Sequence, residues 1–129
     1  MKNDVAILDD NSIRSKIHII RGQQVMLDFD LAEIYGYTTK AFNQQVKNNI
    51  ERFDDDFRFQ LNDNEIGNLR SKFLTSSWGG KRYKPYAFTE QGIYMLMTVL
   101  KGDLAVTQSK MLAFEVLEPF LIQDLLRHL

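Results

Sequence analysis

Cysteine is absent from this chain of 129 residues, which also has only two prolines and two histidines. The absence of cysteine excludes disulfides, thiol nucleophiles, iron–sulfur clusters and thiolate zinc sites. A chain of this length buries about two-thirds of its unfolded surface, so it needs no disulfide or metal to fold. We therefore expect one small domain without a metal or a cofactor.

Long apolar runs are also missing, since none approaches the roughly 20 residues that a membrane-spanning helix needs. The first eleven residues carry acids and amides around the brief apolar run Val5–Leu8, a pattern that does not match a signal peptide. These two observations lead us to expect a cytoplasmic protein.

The net charge of −1 hides an uneven distribution of charge along the chain. The segment Ile66–Thr89 contains no acid and these basic residues: Arg70, Lys72, Lys81, Arg82 and Lys84. A nearly neutral protein with one basic face still binds a polyanion, because the electrostatic potential at that face, and not the net charge, determines the attraction. The alternative is an ordinary solvated face.

The segment Asp28–Phe53 is typical of two short helices joined by a tight turn. Asp30 is a suitable N-cap for the first helix, and Gly36 is suited to end it. The apolar residues of the first helix recur at helical spacing: Leu31, Ile34 and Tyr35. Ala32 and Gly36 occupy the small-residue and turn positions of a helix-turn-helix.

The second helix of this pair is predicted to begin after Thr38 or Thr39. Its buried side is expected to contain Phe42, Val46, Asn49 or Ile50, and Phe53. Its outer face is expected to carry Thr39, Lys40, Asn43, Gln44 and Lys47. These side-chain types read base edges and phosphates in DNA. The alternative is a helical hairpin with a solvated polar face.

Three segments have the composition of β-strands. Ile17–Ile20 and Gln24–Leu27 flank residues 21–23, a plausible hairpin turn in which Gly22 supplies a positive φ. Phe57, Phe59 and Leu61 alternate with polar residues, as in a half-buried strand. The preceding aspartates, at residues 54–56, are better suited to a turn than to a metal site.

Helices are predicted after most of these strands. Asn62 or Asp63 caps a helix that runs to about Lys72, and Thr89 caps one that Gly102 ends. A last helical region begins at Asp103 and is interrupted near Glu118, because Pro119 follows.

The pair Gly79-Gly80 predicts a turn between two extended runs. Its tip and second arm carry Lys81, Arg82 and Lys84 among aromatic residues, as in a β-wing that lies along a nucleic acid backbone. We expect Trp78 to be exposed, and Tyr86 and Phe88 to be in the core. The alternative is a solvated hairpin.

Two long stretches of this chain resemble the phage ORF-six N-terminal domain family, which is related to the KilA-N and BRO-N domains. They are RGQQVMLDFDLAEIYGYTTKAFNQQVKNNIERFDDDFRFQL and TSSWGGKRYKPYAFTEQGIYML. The resemblance covers residues 17–113 and leaves an arm at 1–16 and a helical extension at 114–129. It implies a DNA-binding regulatory domain of phage and prophage antirepressor type, with Lys40, Asn43, Gln44 and Lys47 on the reading helix and Lys81, Arg82 and Lys84 on the wing.

The resulting expectation is an α+β domain with wing-like β-hairpins, a helix-turn-helix-like pair and C-terminal helices. Its leading function is non-catalytic binding of double-stranded DNA, as a dimer through the C-terminal helices. The alternative is a protein-interaction module that binds a repressor. An enzyme that uses Asp28, Asp30 and Glu33 is not favoured, because no phosphate loop, paired histidines or Ser/His/Asp set accompanies them.

Overall fold

The structure, a computed structural model, describes residues 13–72, 83–100 and 102–112. Its strands are β1 (Ile17–Ile20), β2 (Gln23–Leu27), β3 (Arg58–Gln60) and β4 (Tyr86–Thr89). Its helices are α1 (Asp28–Tyr35), α2 (Thr39–Lys47), α3 (Asp63–Lys72), α4 (Glu90–Val99) and α5 (Asp103–Leu112). The predicted α+β class is confirmed.

The strands form one antiparallel sheet in the order β1-β2-β4-β3. The predicted hairpin of β1 and β2 is present, with Ile20 opposite Gln23 across a two-residue turn. Gly22 has a positive φ of 74°, and Arg21 also adopts one, at 55°. Two successive positive φ angles match the right-handed twist of the strands that the turn connects.

Both faces of the sheet are covered, which explains why β2 ends in three buried residues, Val25, Met26 and Leu27. Successive side chains of a strand point to opposite faces. Met26 packs in a cluster with the helices α1, α2, α4 and α5, whereas Val25 and Leu27 pack in a second cluster with Ile66 and Leu69 of α3. The domain therefore has three layers, with the sheet in the middle.

Aromatic rings join α2 to the sheet. Phe88 of β4 is completely buried and packs edge-on against Phe42 and Phe53, with ring centroids 5.6 Å and 6.0 Å away. The predicted core position of Phe88 is confirmed, and Tyr86 is half-buried against the same cluster. This packing fixes the buried side of α2 and leaves its other side to solvent.

The first helix begins earlier than predicted. Its N-cap position is Leu27, which makes no side-chain cap hydrogen bond, so the prediction of Asp30 as N-cap is wrong. Asp30 lies in the first turn, where an acid interacts favourably with the helix dipole. Gly36 ends the helix as predicted, in the left-handed region at φ 77°, and the Tyr37 N–H donates to the Ala32 carbonyl.

The second helix begins after Thr38, whose Oγ1 accepts from the Ala41 N–H at 3.1 Å. It ends at Lys47, and a 3-10 turn at Ile50–Arg52 follows. Phe42, Val46 and Phe53 are buried as predicted, but Ile50 is 46% exposed. The change from α to 3-10 geometry rotates Ile50 away from the buried side, while Phe53 returns to it.

The turn before β3 and the start of α3 are held by side chains. Asp54 Oδ1 accepts from the Asp56 N–H at 3.0 Å, as expected for a turn rather than a metal site. Asn62 caps α3 as predicted, because its Oδ1 accepts from the Glu65 N–H and its own N–H donates to Glu65 Oε1. This reciprocal pair is a capping box.

The remaining helices begin where they were predicted, at Glu90 and Asp103. Thr89 Oγ1 caps α4 by accepting from the Gly92 N–H at 3.2 Å. However, α4 ends at Val99 with Leu100 in extended conformation, two residues before the predicted end, so Gly102 does not end it. The predicted break at Pro119 and the extension at 114–129 lie outside the described residues.

Candidate nucleic-acid interface

The face of α2 that is turned away from the core contains no acid and two exposed lysines, Lys40 and Lys47. Gln44 is exposed between them, at the spacing of three to four residues that places side chains on one face of a helix. Within the described part of the chain, neither ammonium group has a hydrogen-bond or ion-pair partner. Thr39 is half-buried at the start of the same helix.

Asn43 does not lie on this open face, so its predicted placement there is wrong. It is half-buried, and its Nδ2 donates to Asp28 Oδ2 at 2.9 Å. The Oδ1 of Asn43 is buried and has no hydrogen-bond partner among the described residues. The amide is therefore turned toward the body of the domain. The periodicity of the sequence misplaced Asn43 because it does not show which polar residue has a buried partner.

Asp28, the first residue of α1, is a buried acid that joins three segments. Its Oδ2 accepts from Asn43 of α2 and from the hydroxyl of Tyr83, which lies just before β4. Its Oδ1 accepts from the Phe29 N–H at 2.8 Å. Burial raises the pKa of Asp28, and these donors oppose that shift because they stabilise the carboxylate. Burial and the bond to Asp28 both raise the pKa of Tyr83.

In the segment without acids, Ile66–Thr89, the cations that the structure describes do not form one face of unpaired charges with Lys40 and Lys47. Lys84 Nζ lies 3.5 Å from Asp63 Oδ1, in a pair whose two side chains are largely exposed. Arg70 also has a partner within the described residues. An exposed pair of this kind contributes only about 0–1 kcal/mol, so it costs little to break. Lys81, Arg82 and Trp78 lie outside the described residues.

The predicted turn at Gly79-Gly80 lies outside the described residues, but the end of the predicted second arm is described. Tyr86–Thr89 is a central strand, since Ala87 and Phe88 of β4 have partners in both β2 and β3. Both edges of these residues are therefore occupied, and they have no edge left for a strand before the glycines. The strand-like composition of Tyr86–Thr89 did not show how many neighbours it has.

A comparison with protein families decides the identity of the fold. The model of the ORF6N domain matches residues 15–99. The chain belongs to the ORF6N domain family. Comparison with curated proteins and with solved structures gives no match. Family membership supports a phage-type regulatory function, and the predicted resemblance is confirmed.

This ORF6N domain has two surface residues beside the predicted site that the sequence analysis did not single out. Asn48 is exposed and its Oδ1 accepts from Gln44 Nε2 at 2.9 Å. Arg52 is exposed at the end of the 3-10 turn, and its Nη1 lies 3.5 Å from Thr98 Oγ1. The sequence signal for Asn48 is its position four residues after Gln44.

A second acid of the domain, Asp30, lies near Lys16 and Glu33 rather than near α2. Burial raises the pKa of Asp30 to about 6, an effect that Lys16 opposes and that Glu33 and Asp28 strengthen. Among the residues that the structure describes, no group of three or more acids and histidines has the arrangement of a metal site. No helix in the same residues is long and apolar enough to cross a membrane.

Proposed function

We propose that this ORF6N domain binds double-stranded DNA without catalysis, as a regulatory domain of phage antirepressor type. In the proposal α2 enters the major groove and the basic segment around residues 81–84 contacts the phosphate backbone. The observation that carries the proposal is the acid-free outer face of α2, on which Lys40 and Lys47 are exposed without a partner in the described part of the chain.

The connection of α1 to α2 supports this use of the second helix. Only residues 36–38 separate the two helices, and Gly36 turns the chain in the left-handed conformation. Ala32 is buried in the core cluster that also contains Phe42 of α2, so a small side chain lies where the two helices meet. A short helical pair of this kind presents its second helix to DNA in helix-turn-helix proteins.

The side chains of α2 suit two kinds of contact. Lys40 and Lys47 suit phosphates or guanine edges, whereas Gln44 suits an adenine edge. Gln44 and Asn48 are both exposed, so their mutual hydrogen bond exchanges for a base at low cost. We accordingly assign base reading to Gln44, and not to Asn43, whose amide is held by Asp28.

The test is fluorescence-anisotropy binding to a random duplex of about 30 base pairs across a salt series. Binding through three to six phosphate contacts gives a slope of log K against log salt of about −3 to −5. Lys47→Ala should weaken binding to all sequences and make the slope shallower by about 1. Replacing Lys81, Arg82 and Lys84 together by alanine should make it shallower still.

Lys110→Ala is the matched control, because Lys110 is an exposed lysine on α5 and its removal changes the net charge equally. It should leave the slope unchanged. Once a preferred site has been selected, Gln44→Ala should reduce discrimination at one base pair by about 1–3 kcal/mol. Absence of binding by the unaltered protein at low salt would exclude the proposal.

A protein-interaction module that binds a repressor is the second candidate, and two observations favour it. Lys84 pairs with Asp63, so it does not join Lys40 and Lys47 as a further unpaired cation. In addition, β1 is an edge strand of the sheet, and its residue Ile19 is 67% exposed. Edge strands of this type accept a further strand from a partner. DNA binding that is insensitive to Lys40 and Lys47 would favour this candidate. The dimer through the C-terminal helices stays a prediction, which sedimentation analysis tests.

A further inference from the structure

The two groups of cations in the proposed interface are connected through one buried carboxylate. Asn43 lies on α2 three residues after Lys40 and four before Lys47, so it is next to both lysines on the helix surface while its amide is turned toward Asp28. Tyr83 is the residue immediately before Lys84 and immediately after Arg82. Asp28 Oδ2 accepts a hydrogen bond from Asn43 and another from Tyr83.

We infer that Asp28 is a positioning residue for DNA binding, whose carboxylate holds α2 and the chain at Tyr83–Lys84 at a fixed separation. The inference rests on the proposed function. Asp28 is completely buried, so it does not touch DNA itself and acts through the side chains that it holds, Asn43 and Tyr83. Lys40 and Lys47 would then meet one set of phosphates while Lys84 meets another, at a spacing that is set before binding.

The orientation of the Asn43 amide supports a positioning role over a reading role. Its nitrogen must face Asp28, because two oxygens in contact would repel each other. Its oxygen is buried and is therefore not presented to a base. To read a base, Asn43 would have to withdraw a donor from a buried carboxylate, and hydrogen bonds to buried charged groups are costly to lose.

The Tyr83 hydroxyl is the most direct point for a test, since Tyr83→Phe removes one oxygen and keeps the ring, which packs with Val25, Leu27 and Phe59. This variant should bind random DNA about three- to tenfold more weakly at about 10 °C, with folding checked by circular dichroism, and its salt slope should be unchanged. Asp28→Asn keeps the shape of the buried side chain and should show a similar loss.

Combining Asp28→Asn with Tyr83→Phe shows whether Tyr83 acts through Asp28 or contacts DNA directly. If Tyr83 acts through Asp28, this double variant should bind DNA no more weakly than the weaker-binding single variant. Fully additive losses would mean that the hydroxyl contacts DNA by itself and would overturn the inference. Tyr35→Phe is the structural control, because it removes a hydroxyl that hydrogen-bonds to Ser109 Oγ at 2.9 Å between α1 and α5. It should lower thermal stability without changing affinity.

The same experiment distinguishes failure of the inference from failure of the proposed function. If Lys47→Ala makes the salt slope shallower while Tyr83→Phe binds like the unaltered protein, Asp28 is not a positioning residue but α2 still binds DNA. If the unaltered protein shows no salt-dependent binding, the proposed function fails and the inference fails with it.

Discussion

Two acids in the first turn of α1, only two residues apart, occupy different environments. Asp28 has hydrogen-bond donors from Asn43, Tyr83 and Phe29, which stabilise its carboxylate within the core. Burial has the largest effect on the pKa of Asp30 and raises it, whereas the positive charge of Lys16 lowers it. Asp28 is therefore suited to hold neighbouring segments together, whereas the ionised form of Asp30 destabilises the fold.

The raised pKa of Asp30 predicts how stability depends on pH. Its pKa is about 6 in the folded protein against an ordinary value of 3.8, so the folded state binds the proton more tightly. The free energy of unfolding should therefore fall as pH rises from about 4 to about 6, by at most about 3 kcal/mol. Asp30→Asn should remove this loss and stabilise the protein at pH 7, as measured by urea unfolding at several pH values.

The control for this prediction is Asp55→Asn, which changes an exposed acid in the turn before β3. Both variants remove one acid, so a change of the pH dependence in Asp30→Asn that is absent from Asp55→Asn identifies Asp30 as its source. A decrease in stability at pH 7 in Asp30→Asn would show that the carboxylate is ionised and well paired with Lys16, contrary to our expectation.

At the scale of elements, the contact between α4 and the turn before β3 explains the sequence Thr89-Glu-Gln-Gly92. Thr89 Oγ1 donates to the Asp56 carbonyl at 2.7 Å and accepts from the Gly92 N–H. The Phe57 carbonyl lies against Gly92, where a Cβ atom would come within 1.9 Å of its oxygen. This part of the sequence therefore has a structural role, since it docks α4 on the backbone of the turn before β3.

Two glycine-to-alanine substitutions on different helices test this explanation. Gly92→Ala should destabilise the protein by about 1–3 kcal/mol or more, because backbone must move to admit the methyl group. Gly67→Ala in α3 meets open space and should stabilise it by about 0.4–1 kcal/mol through helix propensity. Urea unfolding measures both. Equal effects of the two substitutions would mean that Phe57 does not approach Gly92 this closely.

At the scale of the whole molecule, the folded core extends beyond the matched residues 15–99. Ala105 of α5 is buried in the larger core cluster, and Gln108 is 1% exposed. Gln108 Nε2 donates to the Ile34 carbonyl at 2.8 Å, near the end of α1, where helix carbonyls lack intrahelical partners. The last described helix therefore supports the helix that precedes the proposed reading helix.

Gln108→Ala should destabilise the protein by about 1–3 kcal/mol, because it leaves the Ile34 carbonyl without this buried donor. Val106→Ala is the matched control on the same helix, since Val106 is 52% exposed and its truncation should change stability by no more than about 0.5 kcal/mol. Thermal unfolding followed by circular dichroism measures both variants. A neutral Gln108→Ala would show that water satisfies the carbonyl and that α5 contributes little to the support of α1.

The elements of this domain were largely predictable, because local signals specify where a helix begins or a strand alternates. Thr89 was predicted as a cap, and Thr38 and Asn62 were each one of two adjacent candidates; all three accept the expected backbone hydrogen bond. The hairpin turn at Arg21–Gly22 was identified from its glycine. Errors occurred at helix ends, where Asp30 and Gly102 had suitable chemistry but packing set the boundary elsewhere.

The sequence by itself determined the α+β class, the order of the elements, the pair α1–α2 and the family, because these depend on periodicity, capping residues and long ordered motifs. Only the tertiary structure decided that Tyr86–Thr89 is a central strand and that Asn43 faces Asp28. Asn43 and Tyr83 meet Asp28 across separations of 15 and 55 residues. Contacts this distant depend on how the layers pack, which no local pattern records.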